Sequence, residues 1–237
     1  MRINCLVQDI KIKQGKIILS PDTSHHLARV LRIKEDQEII IFDGKGNIGY
    51  SKAIEINKNA VIINVLRSEF KSRPDIEIEL FQAIPKLERW DTILQKSVEL
   101  GVSKIHPLIS KHTEYKKSND KSSRWKQIIR SAAEQSASRW LPELSSIQNL
   151  SDVLCNIKSY DLVLVGSLYS PSRLFKEINW NNTKKVALII GPEGDFSQEE
   201  INLIISNHGI PVSFGEQILR TETAAIFGLS VIKYELG

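Results

Sequence analysis

The stretch "VALIIGPEGDFSQEE", residues 186–200, decides the fold. Five uninterrupted apolar residues read as a strand buried on both faces, the pattern of a parallel sheet. Gly191, a rigid proline and a second glycine at Gly194 turn the chain. Ser197 and Glu200 then form the Ser-x-x-Glu signature that starts a helix. A buried strand feeding a helix through a glycine turn is the repeating unit of an α/β domain. Two other apolar runs, "DLVLVG" (161–166) and "PVSFG" (211–215), also end in glycine. Strand ends on one edge of a parallel sheet are where ligands bind, so Gly166, Gly191 and Gly215 together mark a candidate pocket. The phosphate-binding patterns G-x-x-x-x-G-K-[ST] and G-x-G-x-x-G are missing from the sequence, which argues against a nucleoside triphosphate or a dinucleotide as ligand.

Outward from this core the same rhythm continues. "IEIELFQAI" (76–84) and "KIHPLIS" (104–110) read as strands. "LERWDTILQKSVELG" (87–101) places Leu87, Trp90, Leu94 and Val98 at helical spacing, with Gly101 as its terminator. "SSRWKQIIRSAAEQSASRW" (122–140) reads as a helix with Trp125, Ile128, Ile129 and Ala132 inward, and a last helix covers about Thr221 to Leu236. The first 70 residues differ. "EIIIFDG", "IGYSKAIEI" and "AVIINVL" are short strands separated by the turn signals "DGKGN" and "NKN", which suggests a small β-barrel. One helical piece, "SPDTSHHLARVLRI" (20–33), spaces His26, Arg29 and Arg32 at i, i+3 and i+6, roughly one helix face. The polar, proline-containing stretch "SEFKSRPD" (68–75) sets the expected boundary between residues 1–72 and 73–237.

Charge follows this division. Residues 1–145 carry 25 Lys and Arg against 18 Asp and Glu, whereas residues 146–237 carry 7 against 10. A basic front suits a polyanionic partner, although single lysines are most simply solvated surface charges. Further candidates for phosphate contact are Lys86, Arg89 and the loop "SKHTEYKKSNDKSSRWK" (110–126). No apolar run approaches the roughly 20 residues that span a bilayer. "MRINCLVQDIKIKQG" lacks the apolar core of an export signal. Cys5 and Cys155 stand alone, which suits a reducing cytoplasm, and the five histidines show no metal-ligand spacing.

The segment "FGEQILRTETAA" (214–225) joins the third glycine-ended strand to the last helix. Thr221 or Thr223 suits the helix cap, and Glu222 suits the positive end of the helix dipole. Arg220 sits against that dipole. It pairs with Glu222 or Glu193, or it faces an anionic substrate.

Taken together, "HHLARVLR", "LQKSVELGVSKIHPL", "AAEQSASRWLPEL", "LIIGPEGDFSQEE" and "ILRTETAA", in this order and spacing, resemble the RsmE-type 16S ribosomal RNA (uracil-N3)-methyltransferases. These belong to the SPOUT class. The resemblance spans nearly the whole chain. It implies an N-terminal PUA-like RNA-binding β-barrel and a C-terminal α/β SPOUT domain threaded as a trefoil knot, a topology no pattern reading would propose. It implies S-adenosylmethionine as cofactor, held by the loops around Val165–Gly166, Ile190–Gly194 (with Gly191, Pro192 and Glu193) and Phe214–Thr223 (with Gly215, Ile218 and Leu219). It further implies a homodimer acting on 16S rRNA of the small ribosomal subunit in the cytoplasm, without a metal or a membrane. Arg220 and Glu222 are then the expected catalytic pair; His26, Arg29, Arg32, Lys86, Arg89 and Arg139 are the expected RNA contacts. Three positions depart from the family pattern: Asp195 replaces a glycine, Gln217 a basic residue, and Ala137–Ser138 a Gly-Arg pair. Two other readings stay open. One is another SPOUT enzyme, such as a ribose 2′-O-methyltransferase; the other is an RNA-binding or scaffold protein without catalysis.

Overall fold

The structure, a computed structural model, describes residues 3–8, 10–57, 60–115, 121–168 and 171–237. The chain forms two compact units. One comprises residues 1–73 with 130–141, and the other residues 74–129 with 142–237.

The first unit is a five-stranded sheet in the order β1-β3-β4-β5-β2. Its strands are β1 (Ile3–Leu6), β2 (Gly15–Ile18), β3 (Glu38–Phe42), β4 (Asn47–Ile56) and β5 (Val61–Phe70). β1 and β3 run parallel, while the other pairs are antiparallel. The sheet curls around one core that includes Cys5 from β1, Ile17 from β2, Ile39 and Ile41 from β3, and Ile63 and Val65 from β5. Leu27 closes this core from α1 (Pro21–His25) and the turn after it. Ser20 caps α1, as its hydroxyl accepts from the Thr23 amide at 3.3 Å. After His25 the helix widens into a π-type turn, His26–Val30, with Leu31 N donating to His26 O at 3.0 Å. Arg32 follows at φ 51, beyond the helix. His26, Arg29 and Arg32 therefore do not share the α-helical face that their spacing predicts: i→i+5 bonding changes the angle per residue.

Residues 130–141 belong to this unit through specific bonds. Arg130 Nη2 donates to Leu6 O at 2.8 Å, and Leu6 N donates to Glu134 Oε1 at 3.0 Å. Gly46 N donates to Arg139 O, and Leu141 N to Gly44 O. The helix that brings them, α3 (Ser122–Ser136), stops four residues before the expected Trp140, because Ala137 takes φ 57.

The second unit is a parallel sheet in the order β11-β13-β10-β12-β6-β7-β8, with β9 also paired to β7. Its strands are β6 (Glu77–Ala83), β7 (Lys104–Ile109), β8 (Glu143–Leu144), β9 (Gln148–Asn149), β10 (Leu162–Gly166), β11 (Arg173–Leu174), β12 (Lys185–Ile190) and β13 (Ile210–Ser213). Every pairing in it is parallel. On one face α4 (Leu150–Leu154) and α5 (Gln198–Ser206) pack through Leu150, Val153, Ile201 and Ile204 onto Val163, Val165, Ala187 and Ile189. α5 begins with the expected capping box: Ser197 Oγ accepts from Glu200 N at 3.4 Å, and Ser197 N donates to Glu200 Oε2 at 2.8 Å. α2 (Leu87–Glu99) and α6 (Thr221–Leu236) pack on each other, and α6 lies on β12 and β6. The buried stripe of α6 is Thr221, Ala224, Ala225, Gly228, Leu229 and Ile232, at helical spacing. Gly228 permits this close approach, since a Cβ there would meet Leu188 Cδ2 at 2.8 Å.

A polar cluster sits toward the starting ends of these strands. Glu79, only 6% exposed, takes a 2.6 Å bond with His106 Nε2 and a 2.5 Å bond from the Tyr160 hydroxyl, and Lys185 Nζ lies 3.4 Å away. Burial alone would raise the carboxyl, but the bonds from His106 and Tyr160, together with the His106 and Lys185 charges, outweigh it and hold its pKa at about 2. The same burial and the Glu79 charge push the Tyr160 phenol above its ordinary value.

Candidate functional site

The opposite, C-terminal ends of the strands hold a cavity of about 430 Å³. That volume lies in the roughly 300–1,000 Å³ range of small-molecule sites. Three loops form it: Gly166–Leu168 after β10, Ile190–Glu193 with Asp195 after β12, and Ser213–Thr221 between β13 and α6. The three glycine-ended strands thus converge on one pocket. At Gly166 a side chain is excluded, because a Cβ would lie 2.6 Å from the Phe214 ring. Phe214 is fixed by ring contacts with Phe175 at 5.6 Å and Phe227 at 5.7 Å.

The start of α6 is not built as the sequence suggests. Arg220 is the N-cap residue and no side chain caps the helix. Thr221 instead turns inward: its hydroxyl donates to Gly191 O at 2.6 Å and accepts from Gln82 Nε2 at 3.0 Å. Thr223 points away from the cavity and is exposed. The threonine therefore ties the β12 loop to α6 and to a fully buried glutamine of β6.

The ion pairs also differ from expectation. Glu193 and Glu222 both turn to Arg89, whose Nη1 is 2.9 Å from Glu193 Oε1 and whose Nε is 3.8 Å from Glu222 Oε2. Glu193 additionally accepts from the Lys86 amide at 3.0 Å, so its carboxylate sits at the N-terminus of α2, where the dipole favours an anion. Arg220 is exposed and lines the cavity, and among the described residues its guanidinium has no ion pair or hydrogen-bond partner.

Of the expected cofactor residues, Gly166, Ile190, Gly191, Pro192, Glu193, Phe214, Gly215, Ile218 and Leu219 line this cavity. Val165 is fully buried in the sheet beneath it. Gly194 lines a second, neighbouring cavity with Lys86, His112, Glu114 and Glu193. Ser167, Leu168 and Ala224 line the cavity outside the expected loops, Thr221 lies within the expected 214–223 loop but reads as a cap from sequence, and Gln82 beneath them was not expected. Gln82 had a signal, being the one amide inside the apolar run "LFQAI". Among the expected RNA contacts, His26, Arg29 and Arg32 lie in the first unit with the two arginines exposed, and Lys86 is exposed in the second. Arg89 is committed to the two glutamates. Arg139 is committed within the first unit, with its guanidinium 5.3 Å from the Phe42 ring and 3.5 Å from Asn4 Oδ1. Lys116 and Lys117 of the basic loop lie outside the described residues. No cluster of three or more His, Cys, Asp or Glu suited to a metal occurs among the described residues.

Comparison with known proteins fits this geometry. Residues 72–233 match the RNA methyltransferase domain family, and residues 19–66 match the RNA methyltransferase PUA domain family. A ribosomal RNA small subunit methyltransferase E from Buchnera aphidicola is 32% identical over 93% of this chain and 91% of its own length. The chain belongs to the ribosomal RNA small subunit methyltransferase E family. Its mixed architecture, a small N-terminal PUA sheet followed by a SPOUT-type parallel sheet, is that of the family's solved structures. A methyltransferase from Legionella pneumophila, solved with bound SAM, has a TM-score of 0.88 at 33% identity, covering 99% of this chain and 97% of that one. The family member from Neisseria gonorrhoeae, solved with S-adenosylmethionine, has a TM-score of 0.89 at 28% identity, covering 100% and 98%.

Proposed function

We propose that this chain transfers a methyl group from S-adenosylmethionine to N3 of one uridine in 16S rRNA of the small ribosomal subunit. The observation that carries the reading is the cavity of three glycine-ended strand loops, in a family member whose structural neighbours hold this cofactor. The residues fit the cofactor. The cavity has the volume for it, and at Gly215, where a Cβ would meet nothing within 4 Å, bare backbone lets a flat ring approach; Gly166 and Gly191 instead make room for Phe214 and Asp195. Bound there, the cofactor would supply an electrophilic methyl group.

Uracil N3 is a poor nucleophile while protonated, because its lone pair is shared with both carbonyls. The protein must accept the proton and stabilise the anion that results. Arg220 suits the second task, since its charge is not spent on a carboxylate. Donors aimed at developing negative charge are worth about 3–4 kcal/mol in studied enzymes. Glu222 suits the first: Arg89 holds it, yet its buried Oε2 makes no hydrogen bond. Glu193 and Arg89 line the cavity, and Arg89 holds Glu222, which does not itself line it.

The basic residues His26, Arg29 and Arg32 of the first unit and Lys86 of the second supply phosphate contacts. A homodimer is supported by apolar side chains left exposed near the pocket, Ile218 at 77% and Phe227 at 41%, and by Tyr234 at 85% on α6. A trefoil knot is supported by the chain path, in which the segment after β13 returns past β10 to lay α6 on β12 and β6. A cytoplasmic site of action is supported by two free cysteines and by relatives named as ribosomal RNA methyltransferases.

Equilibrium dialysis with labelled S-adenosylmethionine, followed by transfer to small subunits, tests this reading. Wild type binds and transfers. Arg220→Ala binds within a few-fold of wild type but transfers at least about 100-fold more slowly. Wild-type protein that binds no cofactor, or an Arg220→Ala variant of undiminished rate, overturns it.

A further inference from the structure

We infer that Asp195 is a positioning residue of the cofactor pocket: its carboxylate ties the loop after β12 to the loop after β10. The inference about the cofactor rests on the reading above; the tie itself does not. Asp195 stands at φ 56, a left-handed conformation that glycine adopts freely and most other residues avoid, aspartate less than most. Its amide closes a turn onto Pro192 O at 3.0 Å. Its side chain then does what a glycine cannot. Oδ1 accepts from the Phe196 amide at 2.7 Å, and Oδ2 reaches across to the Leu168 amide at 3.3 Å.

Leu168 belongs to the opposite wall of the cavity, where its neighbour Ser167 N is bonded to Val212 O of β13 at 3.2 Å. Asp195 thus joins two walls through one carboxylate. The loop that carries Asp195 is pinned from its other side too. His112 Nδ1 lies 3.0 Å from Gly194 O and 2.9 Å from Asp195 O, and Lys111 N donates to Glu200 Oε1 at 2.8 Å. A residue disfavoured by the backbone is therefore bonded on both carboxylate oxygens and on its own carbonyl. Burial pushes its carboxyl above the ordinary value, while the bonds from the Phe196 and Leu168 amides work against that rise. In the cofactor reading, a pre-tied pair of walls reduces the ordering that binding would otherwise require.

The test uses the full-length protein and three variants, Asp195→Gly, Asp195→Ala and Asp195→Asn. The first readout is amide hydrogen exchange across residues 166–168 without cofactor. Exchange there becomes faster by about tenfold in Asp195→Gly and Asp195→Ala, and by less in Asp195→Asn, whose amide oxygen still accepts one bond. The second is S-adenosylmethionine affinity by calorimetry, which weakens about fivefold to tenfold in Asp195→Gly and less in Asp195→Asn. A role confined to overall stability would move exchange everywhere instead of at this segment. Unchanged exchange at 166–168 in Asp195→Gly overturns the tie. Faster exchange with affinity within twofold of wild type leaves the tie but overturns its role in cofactor positioning. Wild-type protein that binds no S-adenosylmethionine refutes the cofactor reading, while the exchange result still decides the tie.

Discussion

Thr221→Val is the sharpest perturbation of the site, because valine keeps the shape and removes only the hydroxyl. That hydroxyl is 5% exposed as a residue, donates to Gly191 O at 2.6 Å and accepts from Gln82 Nε2 at 3.0 Å. Gly191 O keeps a longer contact with Gln82 Nε2 at 3.3 Å, so it is not left wholly unpaired. Gln82 loses its acceptor on α6 and stays fully buried, with its own Oε1 already lacking a partner. Two net hydrogen bonds of about 1 kcal/mol each, plus part of a desolvation penalty of about 1–3 kcal/mol, give an expected loss of about 2–4 kcal/mol. Thr221→Ser keeps both bonds and should lose only about 1 kcal/mol for the missing methyl group. Urea unfolding followed by circular dichroism measures both, and calorimetry of S-adenosylmethionine binding reports whether the β12 loop has moved. A Thr221→Val variant within 0.5 kcal/mol of wild type, or one less damaged than Thr221→Ser, refutes the claim that this node joins the loop to the helix.

Two further outcomes follow from the same structure. Glu79 has its folded pKa lowered to about 2 from 4.5, so the stability it contributes is present above about pH 4.5 and is lost as pH falls toward 2. The loss amounts to about 3 kcal/mol. Glu79→Gln should flatten that acid limb in urea midpoints between pH 5 and pH 2.5 and lower stability at pH 7; an unchanged acid limb contradicts the assignment. Ala137 holds φ 57 where the family pattern has glycine, so Ala137→Gly should gain about 0.5–1 kcal/mol despite the added freedom of the unfolded chain; a lower melting temperature would contradict this.

The elements of the second unit were legible because each carries a local signal. Apolar runs ended in Gly166, Gly191 and Gly215, and the Ser197–Glu200 box started a helix where it was read. Sheet order was not legible, since β10 lying between β12 and β13 depends on pairings far apart in sequence. Ion pairing failed for the same reason: Arg89 reaches Glu193 and Glu222 across more than 100 residues, whereas proximity in sequence pointed to Arg220. The face shared by His26, Arg29 and Arg32 failed because composition does not distinguish an α-turn from a π-turn. Asp195 and Ala137 illustrate a subtler gap. Both stand where a glycine is expected, and both keep the glycine-type backbone, at φ 56 and 57. Only the structure reveals that the aspartate uses the position to bond Leu168 and Phe196.

The central claim is that the pocket of three strand ends directs a methyl group to uracil N3. The most direct measurement is to incubate the protein with labelled S-adenosylmethionine and small ribosomal subunits from a strain lacking this enzyme, digest the RNA to nucleosides and identify the labelled one by mass spectrometry. The account predicts label in 3-methyluridine, abolished in Arg220→Ala. Label in a ribose-methylated nucleoside or in another base would contradict it.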